Sequence, residues 1–340
     1  MRTARGMRLL ALALLVLFAF AGDARALEVG FNQGWVIHKW GRDLSRDFDE
    51  AEWTRLLQRT RASGGRALRV WLCEGLAKEG VVWDGTRPLG LDPAFTSNVQ
   101  RLIDLARAER VKLYWTLFDG NWPDSWPRGG VEAWRHYNLL ANKYGEGALF
   151  KERVLGPLVD LMEAAPDVTW GLDLMNEVQG SVKTWMWSDG WRGARRWIAD
   201  WTAFVHARAP GVRVTVSSGH HTSCDDVIAG RFDGLGLDFY DLHVYDDGGR
   251  IPRGWALVVH ARARGRPLVL GEFGQKSTKV DAALQARVTR RFLQDAARLG
   301  FKAAFAWRLE DWQSNGRHFT FWNEDGTPRP AVGIVRALGE

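Results

Sequence analysis

A closed (β/α)8 barrel is the fold this sequence predicts, and three observations carry it. Apolar strand-like runs alternate with helix-like segments eight times along the 340-residue chain, and regular alternation of that kind argues for a parallel sheet, with eight repeats closing it into a barrel. No Pro-, Ser- or Gly-rich linker and no low-complexity segment divides the chain, so one domain is expected. Polar and reactive side chains gather where the strand-like runs end, the face on which a barrel carries its site. The rival, an open doubly wound sheet, would be announced by a glycine-rich phosphate loop after the first strand. Gly30-Phe31-Asn32-Gln33-Gly34 does not have that spacing.

The elements follow in order. A first strand is expected around 29–31. Residues 49–63 then have helical spacing, with Trp53, Leu56 and Leu57 on one face and Gly64-Gly65 as the stop. A strand at 67–72 precedes a helix at 95–107, a strand at 111–117 and one or two helices within 131–165, including 150–164. A strand at 168–175, a helix at 190–209, a strand at 212–217 and a short helix near 223–229 come next. Strand 235–244, helix 255–263, strand 268–270, helix 280–299, strand 302–307 and a closing helix at 328–338 complete the pattern.

Residues 1–26 stand outside the fold. Arg2, Arg5 and Arg8 precede an uncharged apolar run at 9–21, and Ala24-Arg25-Ala26 supplies small residues at a cleavage site. That is the pattern of a secretory signal peptide, too short to be a good membrane span, so 27–340 is the expected barrel domain of a secreted protein with no stable membrane association. The first 26 residues carry +3 of the formal net charge of +6. The remaining +3 is nearly balanced and gives no reason to expect nucleic acid. Cys73 and Cys224 could pair in an oxidising compartment, although Cys73 ends an apolar run and equally fits a buried thiol. Nothing points beyond a monomer.

The strand ends carry the chemistry. Glu177 follows the apolar run ending Leu174-Met175-Asn176, and Glu272 follows Leu270-Gly271. The 95 residues between them span three barrel units, which places them on strands four and seven, across the mouth from one another. Two facing carboxylates are the minimum equipment for cleaving a glycosidic bond. Arg69 interrupts an apolar run; a buried guanidinium needs an anion, and Glu272 is the candidate. His243 and Tyr245 alternate on one strand and so point the same way, into the mouth.

Taken in order, Arg69, Asn176-Glu177, His243-Val244-Tyr245, Glu272 and Trp307 resemble the site pattern of clan A glycoside hydrolases, most closely family 5, the cellulase and mannanase group. The likeness covers essentially all of the mature chain. It implies the same barrel, hydrolysis of β-glycosidic bonds with retained configuration, and no metal or cofactor. It also implies Glu177 as general acid/base with a raised pKa, Glu272 as a nucleophile kept ionised by Arg69 and Tyr245, Asn176 at the sugar 2-hydroxyl, and Trp307 as the floor beneath the reacting ring. Phe118-Asp119-Gly120-Asn121-Trp122 departs from the His that many cellulase-type members place after strand three. Asn121-Trp122, Arg69-Val70-Trp71 and Gly271-Glu272-Phe273-Gly274 look more like the mannanase branch. The expected substrate is a β-linked polysaccharide, mannan or glucan. The alternatives are an exo-acting β-glycosidase and a non-catalytic carbohydrate-binding protein on the same scaffold.

The 19 tryptophans have a use in that reading, because indole faces stack on the apolar faces of pyranose rings. Trp35, Trp71, Trp115, Trp122, Trp126, Trp185, Trp187, Trp307, Trp312 and Trp322 lie near strand ends, whereas Trp53, Trp197 and Trp201 fall on helices as core residues. His220-His221 with Asp225-Asp226 matches no standard metal spacing and reads as a polar loop. Asp246-Asp247-Gly248-Gly249 reads as a turn rather than a calcium loop.

Overall fold

The computed structural model describes residues 27–36, 42–73, 76, 80–121, 130–182, 189–275, 281–310 and 319–339. The expected signal peptide lies outside them, as do Trp122, Trp126, Trp185, Trp187 and Trp312. Strands β1 (Glu28–Asn32), β2 (Ala67–Trp71), β5 (Lys112–Asp119), β6 (Thr169–Asn176), β9 (Tyr240–Val244), β10 (Leu268–Phe273) and β11 (Ala303–Ala306) run parallel. The eighth stave is split at Val216 into β7 (Val214–Thr215), which pairs with β6, and β8 (Ser217–Ser218), which pairs with β9. With β1 joining β2 to β11, the ring closes.

The strands are buried on both faces, as continuous apolar runs require. All five residues of β2 and seven of the eight in β6 are buried. The outer face packs against helices α1 (Glu50–Ala62), α2 (Pro93–Glu109), α7 (Trp191–Arg208) and α10 (Ala282–Leu299), among others. Local chemistry sets where these helices begin. Asp49 accepts the backbone N–H groups of Ala51 and Glu52 to cap α1; Asp92 does the same for Ala94, with Pro93 at the first turn of α2; Asp281 caps α10.

Inside the barrel the residues form layers with the two-residue period of a strand. Ala67, Tyr114, Trp170, Phe239, Val269, Ala303 and Phe305 make a core separate from the strand–helix layer, its four rings 4.9–6.0 Å apart. One step nearer the C-terminal ends sit Arg69, Asp173 and Asp241, all buried. Asn32, Asn176, His243 and Glu272 come next. An aromatic floor, a charged middle and a reactive rim are therefore stacked along the barrel axis.

Several expectations need correction in detail. β9 begins at Tyr240 rather than 235, because the Asp238 carboxylate turns back to accept the Val214 N–H at 2.7 Å. An antiparallel hairpin of β3 (Val81–Asp84) and β4 (Arg87–Leu91) stands between β2 and α2. The expected helix at 150–164 is interrupted: α4 (Glu146–Phe150) passes through a π turn at Lys151–Leu155 into α5 (Gly156–Glu163). Of the two readings of the cysteines, the structure has the buried free thiols, at both Cys73 and Cys224. Among the described residues, no helix is long and apolar enough to cross a membrane.

Candidate active site

Glu177 follows β6 with φ 49°, a left-handed conformation uncommon for a side chain of its kind. The turn is held by the Ser217 hydroxyl, which accepts the Glu177 N–H at 2.9 Å, and by the Ser217 carbonyl, which accepts the Val178 N–H at 3.2 Å. Gly219 makes room for the carboxyl, since a Cβ there would overlap Glu177 Cγ and Cδ. Across the mouth, β10 carries a register shift between Leu270 and Glu272 that sets Glu272 opposite His243. Gly271 sits in that shift because a Cβ would overlap the Asp241 carboxylate.

The sequence-predicted residues meet here. Arg69 donates to Glu272 Oε1 at 2.7 Å, to Asp173 Oδ2 at 2.8 Å, and to the Asn32 and Asn176 Oδ1 atoms at 2.9 Å each. The Tyr245 hydroxyl donates to Glu272 Oε2 at 2.7 Å, so both nucleophile-candidate oxygens act as acceptors. His243 Nδ1 lies 3.1 Å from Glu177 Oε1 and 3.5 Å from Glu272 Oε1. One oxygen of each glutamate and one His243 nitrogen lie within 4.8 Å of one another. That is the one such His/carboxylate grouping among the described residues whose spacing could also admit a metal ion.

Sequence reasoning gave no role at the carboxylates to Asn121, His220, His221, Asp119 or Asp173. Asn121 Nδ2 donates to Glu177 Oε2 at 2.6 Å, while its Oδ1 meets His220 Nε2 at 2.7 Å. His220 thereby comes within 3.7 Å of Glu177 Oε2, and His221 also lines the cleft. Their expected companions Asp225 and Asp226 bond elsewhere, to Arg253 and Gln179. Asp119 accepts Asn176 Nδ2 at 3.0 Å. Asp173, beneath, accepts from Arg69 and from the Ser217 N–H. All but the Asn121-Trp122 signal depended on side chains from separate strands converging.

A cleft of about 530 Å³ opens over this floor. Trp35, Trp71 and Trp307 line one part of it, with ring centroids 5.7, 5.8 and 6.2 Å apart. Trp115 and Trp322, expected at strand exits, are instead packing residues. Trp115 is fully buried against the helices, and Trp322 donates to Ser63 beneath the Arg59 guanidinium. Trp53, Trp197 and Trp201 are in the core.

The electrostatics reverse an expectation. Burial pushes the Glu177 carboxyl up, but the hydrogen bond and charge of His243, with help from Asn121 and His220, outweigh it and leave the group at about 2. Burial raises Glu272 above the ordinary carboxyl value, with repulsion from Glu177 adding to it and His243 and Arg69 opposing. Burial would lower His243, but Glu272 and Glu177 raise it. The physical reason is contact: His243 bonds to the carboxylate that was expected to be the protonated one.

No protein-family model matches the chain, and no curated protein sequence matches it. Solved structures do. A β-mannanase from the blue mussel Mytilus edulis superposes with a TM-score of 0.67 at 19% identity, over 92% of each chain. An endo-1,4-β-mannanase from Eisenia fetida gives 0.66 at 19% identity, over 93% of this chain and 92% of that one. The exo-β-1,4-mannosidase Op5Man5 from Opitutaceae bacterium strain TAV5 gives 0.70 at 19% identity, over 94% of this chain and 60% of that one. At such identities the likeness establishes a shared (β/α)8 fold.

Proposed function

We propose that this protein is a secreted, retaining β-glycosidase of the family 5 type that hydrolyses O-glycosidic bonds of a β-linked polysaccharide, with β-1,4-mannan as the leading substrate. The observation that carries the reading is the carboxylate pair at the barrel mouth, with oxygens within 4.8 Å and dissimilar partners. A pair about 5–5.5 Å apart leaves no room for an attacking water between carboxylate and sugar, so one carboxylate attacks directly. The mannan-active names of the structurally similar proteins favour mannan over glucan.

In this reading Glu272, aligned by Arg69 and Tyr245, attacks the anomeric carbon and forms a glycosyl ester. Glu177 donates a proton to the departing oxygen. That proton is stored on His243 and crosses the 3.1 Å contact to Glu177 Oε1, leaving a neutral imidazole beside Glu272. Glu177, now anionic, then takes a proton from the water that cleaves the ester. Asn176 donates to the 2-hydroxyl, a contact that strengthens as the ring flattens. Trp307 lies under the ring, and Trp35 and Trp71 extend the apolar surface.

The test is a reducing-sugar screen of mannan, glucomannan, carboxymethyl cellulose, lichenan and xylan with wild type, Glu177→Gln and Glu272→Gln. Mannan hydrolysis by wild type, and a loss of at least about 10³-fold in either variant, is expected. Hydrolysis that survives Glu272→Gln rules out the nucleophile. Binding without hydrolysis in the wild type returns the carbohydrate-binding alternative.

A further inference from the structure

Helix α3 (Val131–Leu140) carries apolar side chains on two sides. Ala133, His136, Leu139 and Leu140 are buried. Val131, Trp134 and Tyr137 recur every third residue on the other side. There Trp134 stays 47% exposed and Tyr137 half-buried. The turn after the helix adds Tyr144, 83% exposed. Asn142 and Tyr144 hold left-handed backbone in that turn, φ 49° and 53°, a region seldom adopted by residues with side chains. These exposures are joined. The Trp134 and Tyr137 ring centroids lie 6.0 Å apart, edge to face. The Lys143 ammonium lies 5.9 Å from the Tyr137 ring and 6.0 Å from the Tyr144 ring. Single apolar side chains in solvent are ordinary, but a contiguous aromatic strip marks a binding surface.

A pocket of about 390 Å³ adjoins the strip at Tyr137. Asn142, Asp189, Arg196 and Asp200 line it, with the buried indole of Trp201 on α7. Trp201 packs on Phe118 and Phe150 in the helix layer, 5.6 and 5.8 Å between centroids, so the pocket belongs to the outer wall of the barrel. It shares no lining residue with the catalytic cleft. The walls say what fits. Arg196 donates to Asp189 at 2.8 Å, and Lys151 donates to Asp200 at 2.6 Å. These charges neutralise one another in pairs, so the pocket selects for neither anion nor cation. Asp200 Oδ1 and Asn142 Nδ2 have no hydrogen-bond partner among the described residues, which leaves one acceptor and one donor available. A neutral polysaccharide answers both features, with C–H faces for the rings and hydroxyls for the amide and carboxylate. A protein partner would meet charged side chains at the centre of the contact, where they are normally depleted.

We propose that Trp134, Tyr144 and the pocket at Asn142 form a second glycan-binding site on the outer wall, which holds a neutral β-linked polysaccharide without cleaving it. Trp134 and Tyr144 are the stacking surfaces. Tyr137, edge-on to the indole, steadies Trp134, and Asn142 and Asp200 take hydroxyls. A chain held here makes its capture by the cleft an intramolecular event, which raises the effective concentration of polymer at the carboxylates. An oligosaccharide too short to reach both places gains nothing. The choice of a β-linked polymer rests on the hydrolase reading above; the existence of the site does not.

The experiment has a binding arm and a kinetic arm. In the first, the full chain carrying Glu272→Gln is run through native gels containing soluble glucomannan, with and without Trp134→Ala and Tyr144→Ala. The pair of changes should weaken retardation by about three- to tenfold in apparent Kd. Trp255→Ala, which removes a tryptophan 50% exposed elsewhere on the surface, is the control and should leave retardation as it was. In the second, the otherwise wild-type double variant should show a KM on glucomannan raised by about the same factor, with kcat unchanged and kcat/KM on manno- and cello-tetraose within about twofold of wild type. Undiminished retardation, or no retardation of Glu272→Gln itself, overturns the site. So does an equal loss on polymer and tetraose, because a purely structural role would slow both. Retardation that the two changes weaken, in a protein whose wild type hydrolyses neither polymer nor tetraose, keeps the site and counts against the hydrolase reading instead.

Discussion

His243 Nδ1 sits 3.1 Å from Glu177 Oε1, and this contact ties the two groups' titrations together. With help from Asn121 and His220 it depresses the carboxyl to about 2, and the charge of Glu272 joins it in raising the imidazole above its ordinary value. Glu177, lowered in the folded state, stabilises the fold above its unfolded value near 4.5 and loses that contribution as the pH falls toward 2. His243, raised, contributes fully below its unfolded value near 6.5, and the contribution is lost as pH rises through the folded value. Both are present together between those two reference values. His243→Asn removes both, so stability should drop by on the order of 2–3 kcal/mol within that window and much less outside it. Thermal unfolding followed across pH checks this, and superimposable wild-type and variant profiles would count against the contact.

Arg69 is fully buried and answers two buried carboxylates, Glu272 and Asp173. Taking one partner from such a group leaves uncompensated charge, which costs about 3–5 kcal/mol. Arg69→Met should therefore destabilise by about that amount in urea unfolding and abolish activity. A double variant, Arg69→Met with Asp173→Asn, should recover part of the stability without recovering activity, because Glu272 still lacks its cation and keeps only the Tyr245 hydroxyl. Failure of the second change to restore any stability would mean that packing, not charge, accounts for the loss.

The Trp35, Trp71 and Trp307 rings stand close together in the cleft wall. Only Trp307 is placed under the reacting ring in the proposed mechanism. Trp35→Ala removes a stacking surface from sugar that is not reacting, so KM should rise about three- to tenfold with kcat little changed. Trp307→Ala should lower kcat as well. Steady-state kinetics on the best polysaccharide separates the two, and an equal kcat loss in both variants would place Trp35 at the chemistry.

Much of this was legible in the sequence for a physical reason. Parallel strands buried on both faces, such as β2 and β6, give unbroken apolar runs, and a charged residue inside or after such a run stands out. Arg69, Glu177, His243 and Glu272 were visible on that ground. The roles of Asp119, His220 and Asp173 were not, because each is ordinary in its own segment and becomes significant only through a neighbour 50 or more residues away. The direction of the Glu177 shift was hidden for the same reason: alternation along β9 put His243 in the mouth without saying which carboxylate it would touch. Trp115 shows the opposite failure. It lies on a strand with a functional end, but its side chain faces the helix layer, and position along a strand does not by itself decide the face.

Gly219 gives a test of how closely the acid is held. A Cβ at that position would overlap Glu177 Cγ and Cδ, and Glu177 cannot retreat easily because its backbone is fixed in a left-handed turn by Ser217 and its two oxygens are bound by His243 and Asn121. The methyl of Gly219→Ala must push the carboxyl off His243, off Asn121, or both. A displacement of about 1 Å at a reacting group costs roughly 10²-fold, so kcat should fall by about that factor. The pH dependence of stability should also weaken, since the Glu177–His243 contact is what produces it. Gly333→Ala, where a Cβ meets nothing within 4 Å, is the control and should leave activity unchanged. Wild-type kcat in Gly219→Ala would show that Glu177 can shift without consequence, and that the geometry around it is looser than its three hydrogen bonds imply.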